Sequence, residues 1–348
     1  MKKKILLITE YLNPPYDEGI KKTVFNLFKE LDKKYDLCVI CRYGFKKVNI
    51  HIVNTNPLFF DSAIKKIIRD FEPEILLYLP FASMTFASYL RLFVLKKYTS
   101  KIKSIIFALQ PKSLSKWQES IIKFIKPTVA LTPSLLLKDF WDRLKFNNKL
   151  LPLYTELNDF KPIGDNSTKI LLRKKYNIPL DKYVISHMGH LNEGRNLESL
   201  IPLQKAGYQI VIVGSSSTPK DSLGSDQLKQ KLMNTGIIII DKYLEKISEI
   251  YQLSDLYIFP VINNCSSIGL PLSILEARAC GIPVLTTKFE STNFFLGNDY
   301  GNVFYSKPSD FVLVVKKINK FNSDRLKTSV TDINEKYNQI IFSEIENS

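Results

Sequence analysis

Glu276 is the residue that packing alone explains least well, because it stands in the largely apolar stretch IGLPLSILEARACGIPVL, residues 268–285. A proline near the start of this stretch and a Gly-Ile-Pro near its end are typical of a short helix with defined ends. Glu276 follows Leu272 by about one helical turn, so it lies on or beside the apolar face. A buried carboxylate requires a partner, and we consider two: the nearby Arg278, or the hydroxyl and amide groups of a ligand.

A second group of residues suited to chemistry lies in the segment HMGHLNEGRNLESLIPL. Gly189 ends a predicted strand there, His190 and Arg195 lie in the loop that follows, and a helix is predicted to begin near Asn196. A glycine, a fork-shaped guanidinium and the amides of a helix N-terminus together form a receptor for a pyrophosphate. An arginine that lies on the surface without a ligand is the alternative.

Two further loops combine a glycine with the start of a helix. Gly19 lies in NPPYDEGIKKTVFNLF and opens the first long helix, although an ordinary turn glycine would fit equally well there. Gly269 lies in the loop before the helix of Glu276, whose first amides have no partner inside the helix. The loops at Gly189 and Gly269 both follow strands of the second half of the chain, at the edge where open α/β sheets bind ligands.

The elements that must position these loops alternate between strand and helix along the whole chain. Short apolar runs such as KKILLIT, EILLYL, YVISHMG and YQIVIVG predict buried parallel strands separated by helical segments. The segment LPLYTELNDFKPI interrupts this alternation. We therefore predict an α/β chain of two doubly wound, Rossmann-like domains, residues 1–162 and 163–322. A C-terminal helix within 323–348 is expected to pack back on the first domain.

The chain carries a formal net charge of +15, and most of this excess lies in the first half. Seven lysines and arginines, but no acidic residue, lie between Glu74 and Glu119, and aromatic residues are interleaved with them. The stretch 91–126 is therefore typical of a surface that contacts anionic lipid headgroups. A solvated basic surface without a partner is the alternative. Nucleic acid is not expected as a partner, because no DNA- or RNA-binding motif accompanies the charge.

The cysteines and the first residues indicate where the protein works. Four cysteines in 348 residues do not form a disulfide framework. The opening MKKKILLITEYL has too short an apolar run for a signal peptide and suits a first strand. The uncharged runs that could be considered as membrane spans are interrupted by prolines or polar residues. We therefore expect a reduced, cytoplasmic protein, peripheral at the inner face of the membrane if the basic stretch binds lipid.

The stretch around Glu276 resembles the C-terminal signature of retaining glycosyltransferase family 4, of the glycosyl transferases group 1, which has the GT-B fold. Glu276 matches the second glutamate of that signature, and the following Ala-Cys-Gly-Ile-Pro-Val matches its end. Four other segments resemble family segments in the same order, namely PPYDEGIKK, LPLYTELNDFKPI, GHLNEGRNL and YLEKISEIYQLSDLYIFPV. The resemblance implies two Rossmann-like domains facing a central cleft. It also implies transfer of a sugar from a nucleotide-sugar to a glycan or lipid-linked acceptor, with retention of anomeric configuration.

The resemblance further implies roles for individual residues. Glu276 corresponds to the glutamate that binds the ribose hydroxyls, and Arg195 to a cation that binds the donor diphosphate; these two are our candidate catalytic residues. The other residues expected to contact the donor are Gly19, Gly189, His190, Tyr243, Leu244, Ile268, Gly269, Leu270 and Leu272. No cofactor or metal is implied, and the sequence contains no Asp-x-Asp pair to hold one.

Two positions depart from the family pattern. Ile268 stands where the first glutamate of the signature touches the transferred sugar, and His190 stands where an arginine binds the diphosphate. Two alternatives to transfer therefore remain: a degenerate relative that binds a nucleotide or glycan without turnover, and a sugar-nucleotide epimerase of the same fold. Binding of nucleotide diphosphates, followed by a donor hydrolysis assay, separates a silent binder from an enzyme.

Overall fold

The chain divides into two compact units. A computed structural model describes residues 2–54, 58–81, 83–99, 102–214, 222–264, 266–297, 303–319 and 330–347. The first unit consists of Met1–Tyr154 together with Glu335–Ser348, and the second unit is Thr155–Asn334.

The first unit is built on a seven-stranded sheet. Its strands are β1 Lys4–Tyr11, β2 Asp36–Tyr43, β3 Ile50–Ile52, β4 Ile75–Tyr78, β5 Lys103–Phe107, β6 Val129–Thr132 and β7 Asn148–Leu150. The strand order is β3-β2-β1-β4-β5-β6-β7, and every neighbouring pair is parallel. The order reverses between β1 and β4, which makes this the point where such sheets form a crevice for ligands.

In the described residues of its N-terminal part, the first unit has five helices that cover the strands. They are α1 Gly19–Lys34, α2 Ser62–Phe71, α3 Phe86–Tyr98, α4 Lys116–Ile122 and α5 Leu135–Arg143. Because helices lie against both faces of a parallel sheet, its central strands are apolar on both faces. The central strand β1, with sequence KILLITEY, accordingly has six consecutive buried residues.

The second unit repeats this design with a six-stranded parallel sheet. Its strands are β8 Val184–Gly189, β9 Gln209–Gly214, β10 Ile238–Ile240, β11 Leu256–Phe259, β12 Val284–Thr286 and β13 Val303–Tyr305. Its helices are α6 Asn166–Lys175, α7 Ile201–Lys205, α8 Ser222–Met233, α9 Ser248–Leu253, α10 Leu272–Ala279, α11 Thr292–Leu296 and α12 Phe311–Ile318. The strand order β10-β9-β8-β11-β12-β13 is that of a dinucleotide-binding sheet, with its switch point between β8 and β11. Both units are thus Rossmann-like, which confirms the predicted fold class.

The last helix, α13, runs from Val330 to Glu346, and its residues from Glu335 onwards belong to the first unit. The Nζ of Lys3 donates to the carbonyl of Ile345 at 3.0 Å, and Glu344 pairs with Lys103 at 3.2 Å. These contacts attach the end of the chain to strands of the first unit.

Candidate functional site

The loops that follow β8 and β11 come together at the switch point of the second sheet. A Cβ on Gly194 would lie 2.4 Å from the Oγ of Ser266, so only glycine allows the two loops to approach this closely. Asn196 is in the left-handed region at φ 54°, and its Nδ2 donates to the carbonyl of Pro260 at 3.0 Å. The structure therefore brings together the two loops that the sequence indicated separately.

Arg195 is held where these two loops meet. Its side chain is buried, with 9% of the residue exposed, and its Nη1 donates to the Oγ of Ser267 at 3.3 Å. The backbone around it differs from the prediction, because no α-helix begins near Asn196. Short 3₁₀ segments, Glu193–Arg195 and Leu197–Leu200, come first, and α7 begins only at Ile201. The guanidinium is therefore fixed mainly by packing between the loops and less by a long helix behind it.

Gly189, the last residue of β8, lies close to the side chains that precede and follow it. A Cβ there would come 3.2 Å from the Nε2 of His187 and 3.4 Å from the Nη1 of Arg195. The 3.2 Å contact requires the imidazole to shift by a few tenths of an ångström, and the 3.4 Å contact already fills the space beside the guanidinium. The glycine therefore leaves the space in which the imidazole and the guanidinium lie. His190, the next residue, is partly buried.

His187 is a residue of this region that the sequence analysis missed. It is fully buried on β8, its Nδ1 lies 2.9 Å from the carbonyl of Ile258, and its ring stacks on Tyr257. Burial and the neighbouring charge of Arg195 lower the pKa of His187 to about 3. The ring is therefore neutral near pH 7, and because Nδ1 faces a carbonyl it carries the proton, which leaves Nε2 as an acceptor.

Glu276 lies in α10 and has 3% of its surface exposed. The hydroxyl of Tyr251, a fully buried residue of α9, donates to its Oε2 at 2.7 Å. Burial and the charge of Glu276 raise the pKa of Tyr251 well above its usual value, so this tyrosine stays a donor. Sequence reasoning considered Arg278 or a ligand as the partner. The structure adds a core tyrosine that fixes one oxygen of the carboxylate.

The start of α10 is held by hydrogen bonds from β11 and from the segment before α11. The hydroxyl of Tyr257 donates to the Oγ of Ser273 at 2.7 Å, and the carbonyl of Gly269 accepts from the amide of Ser291 at 3.2 Å. Leu270 is fully buried and Leu272 nearly so. Ile268, at the position of the family's first glutamate, is also buried, so its side chain packs as an apolar residue. The first amides of α10 are thus held in a fixed place, as anion binding requires.

The predicted nucleobase segment follows β10, at the same edge of the sheet. Tyr243 is exposed and Leu244 is partly buried. A Cβ on Gly214, at the end of β9, would lie 3.1 Å from the Cδ1 of Leu191 and 3.9 Å from the Cα of Asp241. The segment after β10 therefore lies beside the loop that follows β8.

Gly19 lies in the first unit, away from this group in the sequence, and is the first residue of α1. Its carbonyl accepts a hydrogen bond from the Oγ1 of Thr23 at 2.8 Å. The structure therefore confirms that this glycine opens the first long helix.

Metal sites and membrane-spanning helices are the other features considered for this chain. Across the ranges that the structure describes, no group of three or more His, Cys, Asp or Glu side chains is arranged to hold a metal ion. Within the same ranges, no helix combines the length and apolar character that crossing a membrane requires.

Solved structures with a similar fold match this chain over nearly its whole length. Sucrose-phosphate synthase from Thermosynechococcus elongatus superposes with a TM-score of 0.77 at 14% identity, covering 100% of both chains. HepE of Anabaena in complex with UDP and glucose also gives a TM-score of 0.77, at 12% identity, covering 99% of this chain and 100% of that one. At these identities the likeness establishes the fold, which is GT-B.

The sequence matches are confined to part of the chain. The putative teichuronic acid biosynthesis glycosyltransferase TuaC of Bacillus subtilis is 23% identical over 193 residues, which is 54% of this chain and 45% of that protein. The family model described as glycosyl transferases group 1 matches residues 168–340, which include Gly189, Arg195 and Glu276. The similarity to the glycosyl transferases group 1 thus lies in the second unit and in part of α13.

Proposed function

We propose that this protein transfers a sugar from a nucleotide-sugar to a saccharide or lipid-linked acceptor, with retention of the anomeric configuration. The observation that carries the proposal is the arrangement at the switch point of the second sheet. The buried guanidinium of Arg195 lies in the loop after β8. The neighbouring strand β11 is followed by the anchored start of α10, and that helix carries the buried carboxylate of Glu276. The carboxyl edge of such a sheet is where open α/β proteins bind nucleotides.

In this proposal each element has one role toward the donor. Arg195 and the first amides of α10, at Leu272 and Ser273, neutralise the diphosphate through charge-assisted hydrogen bonds. Glu276, with Oε2 fixed by Tyr251, presents its carboxylate to the ribose hydroxyls. Gly189 and Gly269 allow the backbone to approach the phosphates, and His190, Ile268 and Leu270 line the same loops. Tyr243 and Leu244 contact the nucleobase.

The reaction needs no nucleophile from the protein. The bond between the anomeric carbon and the phosphate oxygen breaks, and the acceptor oxygen bonds to the same face of the sugar. The departing phosphate takes the proton of the acceptor hydroxyl. Charge that develops on the diphosphate is stabilised by Arg195 and the backbone amides, so catalysis consists of positioning and electrostatic stabilisation. We propose that neither a metal nor another cofactor takes part.

The nature of the donor is suggested by the structural relatives. HepE was solved with UDP and with UDP-glucose, and it shares the fold of this chain. A uridine diphosphate sugar is therefore the first donor to test. The resemblance to a protein named for teichuronic acid biosynthesis suggests a polysaccharide or glycolipid precursor as acceptor.

A membrane surface is proposed as a further partner of the basic stretch 91–126. Trp117 of α4 and Phe124, which lies just after that helix, have 60% and 79% of their surfaces exposed. Ile121 of α4 is also exposed. Lysines surround them, and the Nζ of Lys123 lies 4.9 Å from the ring centroid of Phe124. Apolar rings flanked by lysines insert at the boundary of anionic bilayers. The protein is expected to sediment with phosphatidylglycerol vesicles and to be released by salt. The double variant Trp117→Ser, Phe124→Ser should no longer sediment with them. Equal binding to neutral vesicles would contradict the electrostatic part.

The enzymatic proposal is tested in two steps. A screen of nucleotide-sugars for thermal stabilisation identifies the donor, because a ligand bound only by the native state raises the melting temperature. Hydrolysis or transfer of that donor is then measured. Turnover that releases a nucleoside diphosphate supports transfer. Binding without turnover on any donor supports the silent-binder alternative instead, and interconversion of two nucleotide-sugars without release supports the epimerase.

A further inference from the structure

We infer that the first unit binds an anionic sugar at the carboxyl ends of β1, β2 and β4, through a row of aromatic rings and the buried cation Lys21. The inference rests on the proposed function, and it assigns a chemical class to the acceptor. The residues that carry it are Tyr11 on β1, Tyr43 on β2, Phe81 after β4, and Lys21 in the first turn of α1.

The three rings form a continuous row across the switch point of the first sheet. Tyr11 and Tyr43 end neighbouring parallel strands, and their ring centroids are 4.7 Å apart with nearly parallel planes. The ring of Phe81 lies 4.2 Å from Tyr11 on the β4 side. Tyr43 has 42% of its surface exposed, so the row opens to solvent at that end. Aromatic side chains combine an apolar face with, in tyrosine, a polar tip, which suits a ligand that is apolar on one face and bears hydroxyls.

Lys21 supplies the feature that points to an anion. It has only 6% of its surface exposed, and its Nζ lies 5.7 Å from the ring centroid of Tyr11. Among the residues that the structure describes, no hydrogen bond or ion pair joins this ammonium to a carboxylate. A buried charge without a partner of opposite sign is costly. A carboxylate or phosphate on the ligand would supply the missing charge.

A second cation and a carboxylate that holds the loop of Phe81 complete the site. The guanidinium of Arg42 lies 5.5 Å from the ring centroid of Tyr43. Glu10, on β1 next to Tyr11, accepts from the amide of Phe81 at 2.8 Å and pairs with Arg91 at 2.5 Å. Glu10 therefore holds the loop of Phe81 in place, and its charge is already paired with Arg91.

The experiment compares three probes on the full chain: glucuronic acid, glucose 1-phosphate and methyl glucoside. Saturation-transfer NMR gives their dissociation constants in the wild type and in Lys21→Met, which keeps the apolar stem and removes the charge. Wild-type protein is expected to bind glucuronic acid or glucose 1-phosphate about tenfold or more tightly than methyl glucoside, since one charge-assisted hydrogen bond is lost with the neutral sugar. The better of the two anions distinguishes a carboxylate from a phosphate ligand.

In Lys21→Met, both anionic sugars should bind only as well as methyl glucoside. Lys33→Met, at the exposed end of the same helix, is the matched control and should bind as the wild type does. Tyr43→Ala should weaken all three sugars together. UDP affinity, measured in every variant, should stay unchanged, which shows that the second unit and its donor site are intact. Retained binding of methyl glucoside by Lys21→Met shows that the first unit is folded.

Two results would overturn the inference. One is equal affinity of the wild type for charged and neutral sugars, or no binding of either. The other is an unchanged preference for anions in Lys21→Met. If UDP binds while either result is found, the anionic-sugar site is wrong and the donor proposal stands. If anionic sugars bind through Lys21 but no nucleotide binds, the proposed transfer fails and the sugar site stands.

Discussion

Replacement of Glu276 by glutamine separates a ligand-binding carboxylate from one that only completes the core. In the wild type the hydroxyl of Tyr251 donates to Oε2 at 2.7 Å, and 3% of the residue is exposed. Glutamine has nearly the same shape, and its amide oxygen still accepts from Tyr251, so the core contact is kept. What is lost is the charge that would face the ribose hydroxyls.

The expected effect follows from the value of a hydrogen bond to a charged group. Each is worth roughly 1.5–3 kcal/mol, of which a neutral amide oxygen retains a part. Glu276→Gln should therefore weaken UDP binding by about 1–3 kcal/mol, which is about 5- to 150-fold in Kd. The free energy of unfolding should change by less than about 1 kcal/mol, because Tyr251 keeps an acceptor.

Isothermal calorimetry with UDP and urea unfolding measure the two quantities. Glu249→Gln is the control, because Glu249 is a partly buried glutamate of the second unit that, like the more buried Glu276, accepts from a tyrosine, here Tyr176 at 2.6 Å. It lies outside the proposed site and should leave UDP affinity unchanged. The reasoning is refuted if Glu276→Gln binds UDP like the wild type while its stability falls, because Glu276 would then be a core residue only.

Three further predictions concern the same site. Because the pKa of His187 is lowered to about 3 in the folded protein, the unfolded chain binds one more proton between its ordinary pKa of about 6.5 and that value. Stability should thus be complete above pH 6.5 and fall on acidification with an added slope of up to about 1.4 kcal/mol per pH unit, which His187→Gln should lack in urea unfolding at pH 5 and 6. Gly189→Ala should displace the imidazole of His187, crowd the adjacent guanidinium of Arg195 and so weaken UDP more than uridine in calorimetry. Gly207→Ala, whose added Cβ meets no atom within 4 Å, should affect stability alone. Transfer should proceed equally with and without EDTA; activity restored only by a divalent cation would contradict metal-free transfer.

Several elements of the fold could be predicted from the sequence because their signals are local. The central strands β1, β8 and β9 are rich in Ile, Leu and Val, which is typical of buried parallel strands. The short strands β3 and β13 gave no such signal. Each has three residues, and their structure depends on pairing with a neighbouring strand rather than on their own composition.

The candidate site could be proposed from the sequence only in part. Arg195 and Glu276 could be recognised from the local sequence alone. A cation after a Gly-containing turn and a carboxylate in an apolar helix are both uncommon. Tyr251 and His187 could not, since a tyrosine and a histidine in apolar segments are ordinary core residues. Their roles depend on the packing of α9 against α10 and of β8 against β11. The two contacts join residues that are 25 and 71 positions apart in the sequence.

The central claim is that Arg195 holds the diphosphate of a nucleotide-sugar. Calorimetry of UDP and of uridine with the wild type and Arg195→Ala tests it most directly. The predicted result is that the variant loses at least about tenfold in UDP affinity and binds uridine as before, because only the charge-assisted contact to phosphate is removed. Equal UDP affinity in the two proteins, or a parallel loss of uridine and UDP, would contradict the claim.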